Sequence, residues 1–96
     1  MTFEWDARKA AANLRKHDLA FEDAATVFLD PVATTFQDPD HSLDEYREIT
    51  IGYTMKGNLA FVSHCQRGER IQIVSARRAT RAERDHYEKA TGSQAQ

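Results

Sequence analysis

Residues 47–78 read REITIGYTMKGNLAFVSHCQRGERIQIVSARR. Apolar and polar side chains alternate here, with β-branched residues prominent, over Arg47 to Thr54, Asn58 to Cys65 and Arg70 to Ala76. A period of two is the signature of strands that bury one face. The interruptions, Met55-Lys56-Gly57-Asn58 and Gln66-Arg67-Gly68-Glu69, are short, and each carries a glycine that suits a hairpin turn. Upstream, Val32 to Phe36 has the same character, and the acidic, proline-bearing stretch Gln37 to Tyr46 that follows reads as a mobile loop. Four strands in an antiparallel meander result.

Ahead of the strands the period changes. After a short apolar start, Phe3 to Trp5, Asp6 is a suitable helix N-cap, and Ala7, Ala10, Ala11 and Leu14 recur at helical spacing, with Arg8, Lys9, Asn13, Arg15 and Lys16 on the opposite side. Phe21, Ala24, Ala25 and Phe28 repeat that spacing until Asp30-Pro31 ends the helix, because the residue before proline is driven from the α region. Beyond the strands, Thr80-Arg-Ala-Glu83 is a capping box that opens a third helix. Its apolar face is thin, only Ala79, Ala82, Tyr87 and Ala90, so packing should hold it weakly. The fold expected is α+β: two N-terminal helices and one C-terminal helix on a single face of a four-stranded antiparallel sheet.

The chain has 96 residues, 41% of them hydrophobic, enough for one modest core and too few for two. One domain over residues 1–91 with a disordered tail at 92–96 is expected. The sequence has no apolar run of about 20 residues and no signal-peptide pattern at its start, so a cytoplasmic protein without membrane contact is expected. A single cysteine, Cys65, excludes an internal disulfide, and no zinc-ligand spacing accompanies the histidines. The net charge of −2 is very unevenly laid out. Residues 1–17 carry +2, residues 18–48 carry −8, residues 56–84 carry +5 and the tail from Asp85 carries −1. Six of the seven bases in 56–84 are arginine, whose planar fork suits phosphate better than a lysine ammonium. The local field, and not the net charge, thus points to an anionic partner.

These residues resemble a known family. FEWDARKAAANLRKH, FEDAATVFLDP, REITIGYT and SHCQRGERIQIVSARRATRAERDHYE, in that order from Phe3 to Glu88, resemble the BrnT family of type II toxins, small ribonucleases with a RelE-like fold. The resemblance implies a toxin that cuts RNA and halts translation. It also implies an antitoxin partner of the BrnA type, a ribbon-helix-helix protein that blocks the toxin and represses their shared promoter in a heterotetramer bound to operator DNA. Two positions depart from the family pattern: Asp18 stands where a glycine is common, and Ala20 where a serine or similar cap is common. Each change should cost the helical hairpin something like 1 kcal/mol.

Cleaving RNA without a metal or other cofactor uses the ribose 2′-OH as nucleophile and leaves a cyclic phosphate. The protein must then supply a base, cationic charge for the phosphoryl oxygens and an acid for the leaving oxygen. His64, among Arg67, Glu69 and Arg70, is the candidate base; Arg67, Arg77 and Arg78 complete the predicted catalytic set. Lys56, Arg70, Arg81 and Tyr87 are candidate RNA-binding residues, although Tyr87 also reads as the C-terminal helix's one large anchor. A cation at the end of the first helix suits the helix dipole, which gives His17 a complete structural explanation. His41 and His86 gain no role from their neighbours, and no metal site is expected. A turn centred on Arg67-Gly68 sets His64 opposite Ile71 or Gln72, roughly 16 to 20 Å from Arg77, so the two ends of the sheet compete as the reacting centre. The alternative reading is a non-catalytic subunit that only co-represses with its antitoxin. A nucleic-acid regulator acting alone is opposed by the nine acids of residues 18–48.

Overall fold

A computed structural model describes residues 1–40 and 46–92 of the chain. The order is β1 (Thr2–Glu4), α1 (Ala7–His17), α2 (Phe21–Ala24), a 3₁₀ turn (Ala25–Leu29), β2 (Thr34–Gln37), β3 (Glu48–Tyr53), β4 (Leu59–Arg67), β5 (Arg70–Arg78) and α3 (Arg81–Thr91). Most of the expected acidic loop and tail, His41 included, lies outside the described residues.

The meander is present, with β2, β3, β4 and β5 antiparallel in sequence order. The sheet nevertheless has five strands and is mixed, in the order β1-β5-β4-β3-β2. The apolar start of the chain lies parallel to β5, with Phe3 opposite Ile71. A three-residue strand is too short to show a period, and its partner is distant in sequence, so it left no local signal.

The expectation that all helices share one face is also corrected. Val62, Ala60, Ile73 and Ala76 form one face and bury Leu19, Phe21, Ala24 and Val27 from the N-terminal helical segments. Ile49, Ile51, Leu59 and Phe61 project from the other face and receive Tyr87 of α3. Both faces are therefore apolar in part, and periodicity within α3 cannot tell which it will cover. The helix expected over Phe21 to Phe28 is one α-turn followed by the tighter 3₁₀ turn. It begins without a side-chain cap at Ala20, as anticipated, while Asp18 takes the left-handed conformation (φ 54°) and donates its N–H to the Leu14 carbonyl.

Two local devices place the site. A bulge between Ser63 and His64 puts Ser63 opposite Ser75 but His64 opposite Ile73, so Val74 has no partner on β4. His64 faces Ile73, and not Ile71 or Gln72, because the hairpin turns on Gly68-Glu69 and not on Arg67-Gly68; the bulge beyond it brings Arg77 one residue nearer. Arg77 pairs with Phe61, only three residues from His64, roughly 10 Å along the strand. The second device is Asn13, expected on the solvent side of α1 and found 8% exposed. Its Nδ2 donates to the Ala76 and Leu19 carbonyls at 2.8 and 3.0 Å, and its Oδ1 accepts from Ala76 N–H at 3.1 Å. The side-chain amide pairs with β5 as a neighbouring strand would, beyond the end of β1, and so fixes the last turn of α1 beside Ser75 to Arg77.

Candidate active site

On the side of the sheet that carries α3, a pocket of about 440 Å³ is lined by Lys16, His17, Asp38, Asp40, Arg47, Phe61, Ser63, Ser75 and Arg77, among others. Each wall has a local cause. Lys16 and His17 end α1, where basic side chains complement the C-terminal dipole, and Asn13 clamps that end to β5. Ser63 and Ser75 face each other across the bulged pair, and Ser63 Oγ is buried without a hydrogen-bond partner among the described residues. An orphan hydroxyl costs about 1 to 3 kcal/mol unless something in the pocket pairs with it. Asp38, 6% exposed, joins the rim by donating its N–H to the Arg47 carbonyl at 2.8 Å.

Arg77 is held on two sides. Its Nη1 and Nη2 donate to the two carboxylate oxygens of Glu83, both at 2.8 Å, and its guanidinium carbon lies 4.0 Å from the Phe61 ring centroid. The hydrogen bonds to Glu83 raise the Arg77 pKa further, against burial, and the same bonds hold the Glu83 carboxyl below its usual range. Glu83 also accepts from Thr80 N–H and closes the capping box. Arg77 therefore ties the start of α3 to the sheet while one side of it borders the pocket.

The sequence-predicted set is not brought together. His64 lies on the face covered by the N-terminal helices, 4% exposed, its Nε2 2.8 Å from Thr50 Oγ1 and its ring 5.0 Å from that of Phe28. Burial lowers its pKa, opposed by the Glu48 carboxylate beside it. A general base must reach the proton it takes, and this imidazole does not line the pocket. Arg67 and Arg70 occupy the tip of the β4–β5 hairpin, where Arg67 Nε donates to Gln72 and Arg70 pairs with Glu4 at 3.2 Å. Arg78 points to the face opposite Arg77 and joins Asn58 to the Asp18 carbonyl. Lys56 is exposed in the β3–β4 turn and Arg81 exposed at the start of α3. Tyr87 is 3% exposed, and its hydroxyl donates to Asp30 Oδ2 at 2.7 Å, so the anchor reading describes its place and RNA contact does not. Lys16, His17 and Arg47 were missed as site residues. The run Arg15-Lys16-His17 was the available signal, but dipole capping explained it, and Arg47 stood as the lone base in an acidic segment.

Comparison with known proteins bears on this geometry. No curated protein matches the sequence. In solved structures, the chain is similar to the Brucella abortus ribonuclease toxin BrnT, with a TM-score of 0.67 and 26% identity over 84% of this chain and 99% of that one. The model of the family described as ribonuclease toxin BrnT of type II toxin-antitoxin systems matches residues 5–83, a span that holds α1, the whole meander and all the pocket's residues. The chain thus belongs to the BrnT family of type II toxin-antitoxin ribonuclease toxins.

Proposed function

We propose that this toxin is a metal-independent endoribonuclease whose reacting centre is the pocket between the end of α1 and the α3 side of the sheet. The observation that carries the reading is the meeting of Lys16, His17, Arg47 and Arg77 in one concave site with two serine hydroxyls. A bridging phosphate seated there has cationic side chains for its non-bridging oxygens and Ser63 Oγ as a donor that otherwise has no partner. His17, at the pocket wall, takes the proton of the ribose 2′-OH as its oxygen attacks the adjacent phosphorus. The P–O5′ bond breaks and the 5′-oxygen departs with a proton drawn from solvent water, leaving a 2′,3′-cyclic phosphate and no covalent enzyme intermediate. Arg77 acts as a positioning residue, because Glu83 already occupies both of its terminal nitrogens. The catalytic role proposed for His64 passes to His17.

The family supports the rest of the biological reading: inhibition of translation through RNA cleavage in the cytoplasm, and neutralisation by a ribbon-helix-helix antitoxin that assembles with the toxin and binds operator DNA. The cationic pocket suits an antitoxin that covers it with acidic groups.

The test is cleavage of RNA by the purified chain in EDTA. Cleavage should continue, yield cyclic phosphate ends and stop at any linkage whose 5′-side ribose is 2′-deoxy. Strict dependence on a divalent cation, or cleavage of the 2′-deoxy linkage, overturns the mechanism.

A further inference from the structure

A second depression, about 680 Å³ in volume, adjoins the cationic pocket and shares Asp38, Asp40, Ile49 and Phe61 with it. Its floor is Ile49, Ile51 and Phe61, and its sides are Phe36 on β2 and Ala82 and His86 on α3. Phe36 is 41% exposed and meets the Phe61 ring at 6.3 Å in an edge-on arrangement, so one aromatic surface stays open beside the groove. Asp38 and Asp40 lie on the wall that the two share, but the groove has no lysine or arginine among the described residues that line it, whereas the neighbouring pocket has Lys16, Arg47 and Arg77 to hold a phosphate. For a single strand whose phosphate sits in the cationic pocket, this apolar lining suits an uncharged, flat group across the shared wall.

We infer that this groove is a nucleobase subsite, in which the base next to the gripped phosphate stacks on Phe36 while its edge reaches the Asp40 and His86 side. This rests on the RNA-cleaving reading above and adds to it the feature that orients the strand. Stacking on an aromatic side chain is tolerant of base identity because every base has a π-face. The groove thus supplies register and affinity, and the cationic pocket supplies chemistry. Phe36 lies on the outermost strand, with the other residues of β2 also exposed, so its replacement leaves the core intact.

The experiment measures binding of short single-stranded 2′-O-methyl oligoribonucleotides, which cannot be cleaved through the 2′-OH, to the full chain by fluorescence anisotropy. An abasic nucleotide is placed at each position in turn. Wild-type protein should lose roughly tenfold in affinity at one position, the magnitude of a single aromatic stack. Phe36→Ala should lose that factor on the intact strand and nothing further on the strand abasic at that position, and Phe36→Tyr should restore it. Equal losses for Phe36→Ala on intact and abasic strands, no loss on either, or no binding of any oligonucleotide overturns the subsite. So does a Phe36→Ala protein that binds RNA normally but has lost its antitoxin, which makes the groove a protein-docking surface. If unmodified RNA is bound with the expected dependence on Phe36 but is not cut, the ribonuclease reading fails and the subsite stands.

Discussion

Asp30 shows how much one side chain can organise. Its Oδ1 accepts from Val32 N–H, and its Oδ2 accepts from both Tyr53 N–H and the Tyr87 hydroxyl. Burial raises its pKa, but these three hydrogen bonds together outweigh burial and leave the carboxyl below its ordinary value. The depressed pKa means stability present above the unfolded carboxyl pKa and lost as pH falls through the folded one. Asp30→Asn should flatten that acid limb in denaturant titrations, and Tyr87→Phe should cost about 1 kcal/mol. Gly52 leaves room for the segment that carries this carboxylate: a Cβ there would come within 2.9 Å of Ala33 Cβ and 3.2 Å of Asp30 Oδ2, so Gly52→Ala should destabilise by roughly 1 to 3 kcal/mol. His64 also withdraws stability on the acid side, although it does so by gaining a positive charge and not by losing a negative one. Buried neutral with a lowered pKa, it makes the unfolded chain the better proton acceptor, so stability should fall as pH drops below about 6.5. His64→Gln should remove that slope; an unchanged slope would show that another group titrates.

At the scale of elements, α3 tests how far pattern reading reaches. Its capping box was legible residue by residue and is present, with Thr80 Oγ1 accepting from Glu83 N–H and Glu83 accepting from Thr80 N–H. The side of the sheet it covers was not legible, because its large apolar anchor, Tyr87, is directed by the half-buried Asp30 carboxylate far away in the chain. The same division separates Asn13 from its neighbours: a polar residue on a helix reads as solvated unless its partner, here the Ala76 backbone, is already known. The His64 register failed because the hairpin turns on Gly68-Glu69, one residue past the expected centre, and the bulge at Val74 that brings Arg77 nearer leaves no mark in an alternating pattern. α3 is held at its start by Arg77 and Glu83 and at its middle by Tyr87, with few apolar contacts beyond. Arg77→Ala and Glu83→Ala should therefore be strongly non-additive in a double-mutant cycle, with coupling of about 1 kcal/mol or more, and each should raise amide exchange in α3 while that of β4 is unchanged. Additive effects would remove Arg77 from the role of positioning residue.

For the whole molecule, charge layout and topology combine. The acidic segment supplies the rim through Asp38 and Asp40, while the cations of the pocket come from the end of α1, the start of β3 and the end of β5. Composition could show that bases and acids were segregated, but only the five-stranded sheet, with α1 closing its β5 edge, makes a basic pocket from segments so far apart. In the mechanism proposed above, the reaction belongs to this pocket and not to the histidine that the sequence favoured. Single-turnover cleavage of RNA in EDTA by His17→Gln and His64→Gln, each shown to be folded by circular dichroism, decides between them. His17→Gln should slow cleavage by about a hundredfold or more and His64→Gln by no more than a few-fold; a folded His64→Gln protein that has lost activity, beside a fully active His17→Gln protein, would contradict the account.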